Sequence, residues 1–471
     1  MIKYDIVIIT VPFLQNSPQT GPAILKAVLQ KEGFSCKVID WNFDLIRRCN
    51  KGKTGRRIYG DYDSNMKKFY KKNFDNILQE WINDIKKLNP RWIGLSIFSF
   101  RTAEPIINKI CEQIRLHLPN IKIVAGGHGV SMTVKPLGEE LLRKKMIDCY
   151  ISGDGEEAII SLLKNEKEIP GLNDVNNPTQ LLNLSGMPLP DYTDTPPNLY
   201  SDETFIISSR GCINNCVFCS GYYKRFVIRD PKDVVDEIIE LNKKYDCKKF
   251  QFADSLTNGN AKHILKISNL IVDYNNKNIL PKIRWSCDWV CRSKKLINKN
   301  IYKAISESGC FALLVGIESG SEKVRRDMRK PIKDEDIFFL LEQCKKQNVF
   351  ANFLIIIGYA TETEEDFQQT LDLMKKTSLY KNVKFNIGRP YMISSNTEHQ
   401  IRFDKHQNWY TKNNDFALRC SRWIRTVKYC KELNIPIQYF YLDFLLENLN
   451  KYEKTPYINN IINMFEEMKN I

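Results

Sequence analysis

The feature that most constrains this chain is a regular alternation of short apolar, β-branched runs with amphipathic helical stretches. It begins near the N-terminus and recurs almost to residue 390. "YDIVIITVPF" (4–13) is a continuous apolar run of the kind a strand buried on both faces requires. "GPAILKAVLQKEGF" (21–34) then has helical spacing and stops near Gly33, and "CKVID" (36–40) is a second strand. Residues 41–90 are basic and aromatic, with an amphipathic helix in "FDNILQEWINDIKKLN". Strands at "WIGLSIFSF" (92–100) and "IKIVAGG" (121–127) flank a helix at "AEPIINKICEQIRLHL" (103–118). "DCYISGDGEEAIISLL" (148–163) supplies a fifth strand, a Gly turn and a helix. Such alternation predicts an α/β fold, here a doubly wound, Rossmann-like parallel sheet over residues 1–170.

Residues 171–201 are rich in Pro and Asn and carry no period, so they read as a linker. A second α/β run follows over 202–390. Its strands are predicted at "TFIISS" (204–209), "KFQFAD" (249–254), "IRWSC" (283–287), "FALLVGIES" (311–319), "FANFLIIIG" (350–358) and "VKFNIG" (383–388). Six strand–helix units point to a partial (β/α)6 barrel. Residues 391–471 read as a small helical C-terminal region, thick with aromatics: Trp409, Tyr410, Trp423, Tyr429, Tyr439, Phe440, Tyr441 and Phe444. At 471 residues and 43% hydrophobic, the chain can bury more than one core. No apolar run is long enough for a membrane span, and the N-terminus lacks signal-peptide layout, so the expected location is the cytoplasm. The net charge of +15 is spread along the chain rather than gathered in one block. It reads as Lys-rich composition more readily than as a nucleic-acid surface.

The chain has fourteen cysteines, too dispersed for a disulfide scaffold. Three of them crowd into "RGCINNCVFCSGYY" (210–223): Cys212, Cys216 and Cys219. The other eleven read as small core residues. A structural zinc site takes four ligands, often as two pairs, and no fourth ligand stands nearby. A four-iron cluster held by three thiolates would leave one iron open for a substrate or cofactor. A zinc loop remains the competing explanation. The triplet follows the first strand of the second run, where ligand sites of parallel α/β folds gather. Gly211 allows the turn, and Phe218 sets an apolar ring beside the last thiol.

With these features in place, "CINNCVFC" and the alternation behind it resemble the radical S-adenosylmethionine enzymes. The resemblance implies that Cys212, Cys216 and Cys219 bind a [4Fe-4S] cluster whose open iron chelates S-adenosyl-L-methionine. It also implies reductive cleavage to a hydrogen-abstracting 5′-deoxyadenosyl radical, with electrons from an external donor of flavodoxin or ferredoxin type. Over residues 203–390, "FQFADSLTNGN" places Asp254 near the methionine amino group, with Ser255 where relatives often carry a second acid. "VCRSKKL" places Arg292 at the end of the third strand, and "VGIESGSE" places Glu318 and Ser319 near the ribose or amino acid moiety. "FLIIIGYATETEED" runs Ile357 and Gly358 along the adenine, although the usual Gly-x-Pro-Gly-Glu-Thr is here Gly358-Tyr359-Ala360-Thr361-Glu362-Thr363. For Asp254, Arg292 and Glu318 the competing explanation is salt bridging within a barrel.

Residues 1–165 resemble the cobalamin-binding domain that precedes the radical core in one large subgroup. The likeness lies in "SPQTGPAILKAVLQKEG", "GLSIFSFRTAEP", "VAGGHGVSMTVKP" and "CYISGDGEEAI". A flat corrin ring is approached closely only where side chains are missing, which suits Gly126, Gly127 and Gly129. The resemblance adds Gly153 and Gly155, and Ser96, Ser99, Thr102 and Ser131 offer hydroxyls to the corrin amides or nucleotide tail. A domain holding another ligand, or none, is the alternative. The Asp-x-His-x-x-Gly motif is absent and His128 lies in the strand-four loop, so cobalt is expected without a protein imidazole. Together these features predict a cobalamin-dependent radical enzyme that methylates an unactivated carbon of a small molecule or peptide. Alternatives are non-methylating ring formation or redox rearrangement, and a non-catalytic RNA-binding protein. Methylthiolation of tRNA is disfavoured, because Cys36, Cys49, Cys111 and Cys149 lack the required spacing.

Overall fold

The computed structural model describes residues 3–13, 20–49, 64–98, 100–131, 137–181, 183–200, 203–219, 225–388, 401–406, 408–412, 414–439 and 442–469. The chain divides into two compact units. One comprises residues 1–211 and 221–251; the other comprises 212–220 and 252–471.

The first unit is built on β1 (Tyr4–Thr10), β2 (Cys36–Asp40), β3 (Pro90–Ser96), β4 (Lys122–Gly126) and β5 (Cys149–Tyr150). They form one parallel sheet in the order β2-β1-β3-β4-β5. The helices between them are α1 (Thr20–Lys31), α2 (Trp41–Cys49), α3 (Ser64–Leu88), α4 (Phe100–His117), α5 (His128–Ser131), α6 (Leu137–Arg143) and α7 (Glu156–Leu163). Alternate β1 residues feed two cores. Val7 and Ile9 pack with Trp41, Trp81, Ile93 and Ile110, whereas Ile6 and Ile8 pack with Leu29, Val38 and Leu162. Burial on both faces is why β1 reads as an unbroken apolar run.

Residues 171–200, expected to link domains, are pinned to this unit. The Ser152 amide donates to the Gly171 carbonyl, and the Ser152 carbonyl accepts from the Thr179 amide. The Tyr200 hydroxyl donates to Asp40 at 2.6 Å, and Lys26 makes an ion pair with Asp194 at 2.8 Å. The same unit holds β6 (Glu203–Ile206), the antiparallel pair β7 (Ser209–Arg210) and β8 (Val227–Ile228), and α8 (Pro231–Tyr245), and most of β9 (Lys249–Phe252).

The second unit carries β10 (Arg284–Trp289), β11 (Cys310–Glu318), β12 (Phe350–Ile355) and β13 (Val383–Ile387), paired in sequence order and all parallel. Helices α9 (Ala261–Asn276), α10 (Lys299–Glu307), α11 (Glu322–Asp327), α12 (Asp334–Lys346) and α13 (Glu364–Thr377) alternate with them. The C-terminal region forms a small hairpin, β14 (Arg402–Phe403) with β15 (Trp409–Tyr410), and the helices α14 (Phe416–Glu432), α15 (Leu442–Leu449) and α16 (Pro456–Lys469). Between α14 and α15, β16 (Ile437–Tyr439) adds a further parallel strand beside β13. The helical pattern around it hides so short a strand. The strand expected at 283–287 runs to Trp289, because Asp288 pairs across to Leu314 of β11. Among the described residues no helix is long and apolar enough to cross a membrane.

Candidate active site

In the second unit, Cys212, Cys216 and Cys219 share one loop. The first two are half-buried and the third is exposed. The Asn214 amide donates to the Cys212 sulfur at 3.4 Å, the Cys219 amide donates to the Cys216 carbonyl, and the Val217 amide donates to the Met328 carbonyl beyond α11. Val217 and Phe218 anchor the loop in an apolar cluster with Val324, Met328, Tyr359, Ala360 and Trp409.

A nearly buried cation acts on this loop. Lys330 donates to Glu318 at 2.6 Å, with both side chains nearly buried, and lies 5.8 Å from the Phe218 ring centroid. Glu318 ends β11 with φ +65°, and Ile356 donates to its carbonyl. A side chain on Gly316 would overlap both the Glu318 carboxylate and the Lys330 ammonium. Glycine within "VGIES" therefore makes room for the ion pair. Burial pushes the Cys216 thiol up to about 11 and raises Cys212 too, with the Lys330 charge pulling the other way at both. Burial also works against the Lys330 ammonium, but Glu318, with smaller help from Cys216 and Cys291, offsets it and its pKa rises.

Asp254 is buried, and its charge reaches Asp288, a half-buried residue near the end of β10. Burial, reinforced by Asp254 and opposed by Lys330, lifts Asp288 to about 7. Lys330 and Asp288 are the two residues that sequence reasoning missed here. Ser255 is exposed. Arg292 donates to the Asn258 and Gly259 carbonyls at 3.0 and 3.2 Å and so braces the loop after Asp254. The Ser319 hydroxyl is buried against Thr370 and accepts from the Ser321 amide. Ile357 is buried, and Gly358 (φ +77°) donates to Glu362 at 2.9 Å.

The donor set suits an iron–sulfur cube. Among the described residues no three His, Cys, Asp or Glu side chains converge on a single ion. A cube spreads its ligands over separate corners, so three loop thiols within electrostatic reach of one another need not converge. Thiols whose pKa burial has raised stay protonated until a metal displaces the proton.

In the first unit the chain order reverses between β1 and β3, the place where doubly wound sheets bind ligands. Thr10, Ser96 and Gly126 stand side by side at the strand ends. A Cβ on Gly126 would meet only the Ile151 carbonyl, at 3.9 Å, so space is open there. Gly127 (φ +95°) instead packs on the Ile97 backbone, and Gly153 (φ +93°) on Thr179, so both are needed by the fold itself. Gly129 is buried and donates to the Ile97 carbonyl, and Gly155 packs near Leu25. Ser99 lies outside the described residues; Thr102 and Ser131 fall in α4 and α5, and their side chains are likewise not described. Phe98 is 49% exposed, 4.9 Å from Phe13 and stacked at 6.3 Å on exposed His128. An open glycine beside an exposed aromatic face fits a broad flat ring.

Residues 206–374 match the Radical SAM superfamily. An uncharacterized methyltransferase of Pyrococcus horikoshii is 27% identical over 330 residues, which is 65% of this chain and 68% of the relative. Two solved structures share the fold. The radical S-adenosylmethionine methyltransferase TsrM from Kitasatospora setae, with cobalamin and a [4Fe-4S] cluster bound, superposes with a TM-score of 0.69 at 15% identity over 99% of both chains. The cobalamin-dependent S-adenosylmethionine radical enzyme OxsB, with aqua-cobalamin and S-adenosylmethionine bound, gives 0.65 at 15% identity, over 99% of this chain and 71% of that one. Residues 206–374 are therefore similar to the Radical SAM superfamily, and the chain shares its fold with these two cobalamin-dependent enzymes.

Proposed function

We propose that the protein is a cobalamin-dependent radical S-adenosylmethionine C-methyltransferase acting on an unactivated carbon. The observation that carries this reading is the three-thiol loop beside the buried Lys330–Glu318 pair, in a chain with the cobalamin-dependent fold throughout. The methyltransferase names of the Pyrococcus relative and of TsrM favour methyl transfer over other radical chemistry. When bound, the cluster and S-adenosyl-L-methionine supply a hydrogen-abstracting radical, and cobalamin supplies a methyl carrier.

The chain's own residues bind and orient. Cys212, Cys216 and Cys219 would hold the cluster through their thiolates. Asp254 and Glu318 are the carboxylates for the ammonium and hydroxyl groups of S-adenosyl-L-methionine, and Ile357 and Gly358 present backbone to its adenine. Arg292 and Ser319 act from behind, holding the loops that carry these contacts. In the first unit Ser96, Gly126 and Phe98 form the corrin-facing surface. Residues 1–170 are the cobalamin domain, 171–201 the connecting segment, 202–390 the radical core and 391–471 the substrate-side cap. The electron donor is of flavodoxin or ferredoxin type, the substrate a small molecule or peptide rather than nucleic acid, and the location cytoplasmic.

The test is anaerobic turnover of reconstituted protein with S-adenosyl-L-methionine deuterated at the methyl group. Labelled methyl in the product, with both S-adenosylhomocysteine and 5′-deoxyadenosine formed, is the expected result. Formation of 5′-deoxyadenosine without S-adenosylhomocysteine would mark a non-methylating reaction and overturn the proposal.

A further inference from the structure

We propose that Arg419 is the docking point for an oxyanion, a carboxylate or a phosphate, on the substrate of this enzyme. The inference rests on the catalytic reading above and names the chemistry of the molecule that the site accepts.

Arg419 lies in α14 and is 2% exposed. Its guanidinium stacks 3.6 Å above the Trp409 ring and donates one Nη2 hydrogen bond to the Trp409 carbonyl at 2.9 Å. Among the described residues its Nε and Nη1 are buried without an acceptor. The next arginines along the same helix are satisfied: Arg422 pairs with Glu362 and Glu364, and Arg425 with Glu364. The nearest acids are already occupied. Asp415 caps α14 through the Leu418 amide, and Asp404 accepts from Tyr452 and from the His406 and Asn408 amides. Burial accordingly depresses the Arg419 pKa to about 10. A buried charge with empty donors is costly to keep, and a missing counter-ion accounts for it directly.

The position ties this cation to the catalytic loop. The stem of Arg419 rests on Gly358, where an added Cβ would come within 2.5 Å of Arg419 Cγ. Trp409, directly under the guanidinium, belongs to the apolar cluster that includes Val217 and Phe218, the residues between Cys216 and Cys219. An oxyanion on Arg419 would thus sit against the wall that also supports the cysteine loop. Asn414 touches the same Gly358–Tyr359 backbone on which the Arg419 stem rests. Its Nδ2 donates to the Tyr359 carbonyl at 2.9 Å, which fixes the amide, and its buried Oδ1 has no donor among the described residues. That oxygen suits an N–H or O–H of the same ligand.

The test uses anaerobically reconstituted full-length protein at constant ionic strength. The thermal midpoint is followed against inorganic phosphate, phenylacetate and the neutral isostere phenylacetamide. The expected result is a saturable rise with phenylacetate or with phosphate, larger than with phenylacetamide. Which oxyanion acts distinguishes a carboxylate from a phosphate. Arg419→Gln should abolish the rise while leaving the unliganded midpoint within about 5 °C of wild type. Arg419→Lys, which keeps the charge, should retain a weaker rise. Equal rises with acid and amide, no rise with either oxyanion, or a rise that survives in Arg419→Gln would overturn the proposal. So would a larger fall in the midpoint of Arg419→Gln, because that identifies a structural cation on Trp409. Iron and sulfide content is measured in parallel. Failure to load a cluster would sink the catalytic reading while leaving the oxyanion comparison interpretable.

Discussion

Lys330 and Glu318 form a buried pair whose members cannot be lost singly. Removing the ammonium leaves a carboxylate buried without a counter-charge, which costs about 3–5 kcal/mol. Lys330→Met should lose stability on that scale in urea unfolding, and Lys330→Met with Glu318→Gln should recover most of it. If the double variant is no better than the single, the charge imbalance is not what destabilises. Asp288 offers a second check, through pH. Its carboxyl titrates at about 7 in the fold, well above an exposed aspartate near 3.9. Between those values the folded state holds a proton that the unfolded chain releases, so this residue's contribution to stability is full below pH 4 and fades as pH rises through 7. Asp288→Asn should therefore remove part of the decline in thermal midpoint between pH 4.5 and 8, and should be more stable than wild type at pH 8. Parallel curves for the two proteins would contradict this. The cysteines, Asp254 and Glu318 could be proposed from the sequence because spacing and strand ends are sequence features. Lys330 was not, since its partner is twelve residues away and the contact depends on clearance at Gly316. A glycine inside an otherwise apolar strand was the available sign. Asp288 was hidden by ending the strand at Cys287.

At the scale of elements, apolar periodicity located most strands of both sheets but carries no sign of how the segment between them is held. Residues 171–200 lack a period because they are held point by point: Gly171 and Thr179 on Ser152, Asp194 on Lys26, Tyr200 on Asp40. Contacts between residues so far apart in sequence leave no local pattern. Gly153→Ala tests this arrangement. The new Cβ would collide with the Thr179 backbone at a φ that disfavours any side chain. The expected outcome is a loss of about 2 kcal/mol or more and faster proteolytic cutting within 171–200. Unchanged cutting would mean that the segment is held elsewhere. The start of helix α13 is visible in the sequence as Thr363-x-x-Asp366. Thr363 and Asp366 bond reciprocally across the first turn, and Ser321 adds a further donor to Asp366. Burial opposes ionisation of Asp366, but these hydrogen bonds prevail and hold its pKa at about 2. Its contribution is present above pH 4 and lost as pH falls toward 2. Asp366→Asn should cost about 1 kcal/mol at neutral pH and flatten the acid limb of the stability curve.

For the molecule as a whole, the alternation of strand and helix made two α/β bodies legible, whereas strand order and the addition of β16 depend on long-range pairing that no local pattern encodes. The core composition of the first body leads to a prediction about the whole enzyme. The two hydrophobic clusters described on its five-stranded sheet draw every buried member from residues 6–163, and none from the segment that carries the three cysteines. Nothing in those cores needs the iron–sulfur loop in order to fold. If the corrin-facing surface is formed by Ser96, Gly126 and Phe98, cobalamin uptake should be independent of cluster assembly. A variant with Cys212, Cys216 and Cys219 all replaced by alanine should contain no iron or sulfide after anaerobic reconstitution, yet give a wild-type far-UV circular dichroism spectrum. After desalting it should retain cobalamin at the wild-type ratio, read from the corrin absorbance. Retained iron would exclude these cysteines as the cluster ligands. Loss of cobalamin together with the cluster would mean that the corrin site is not complete within the first unit.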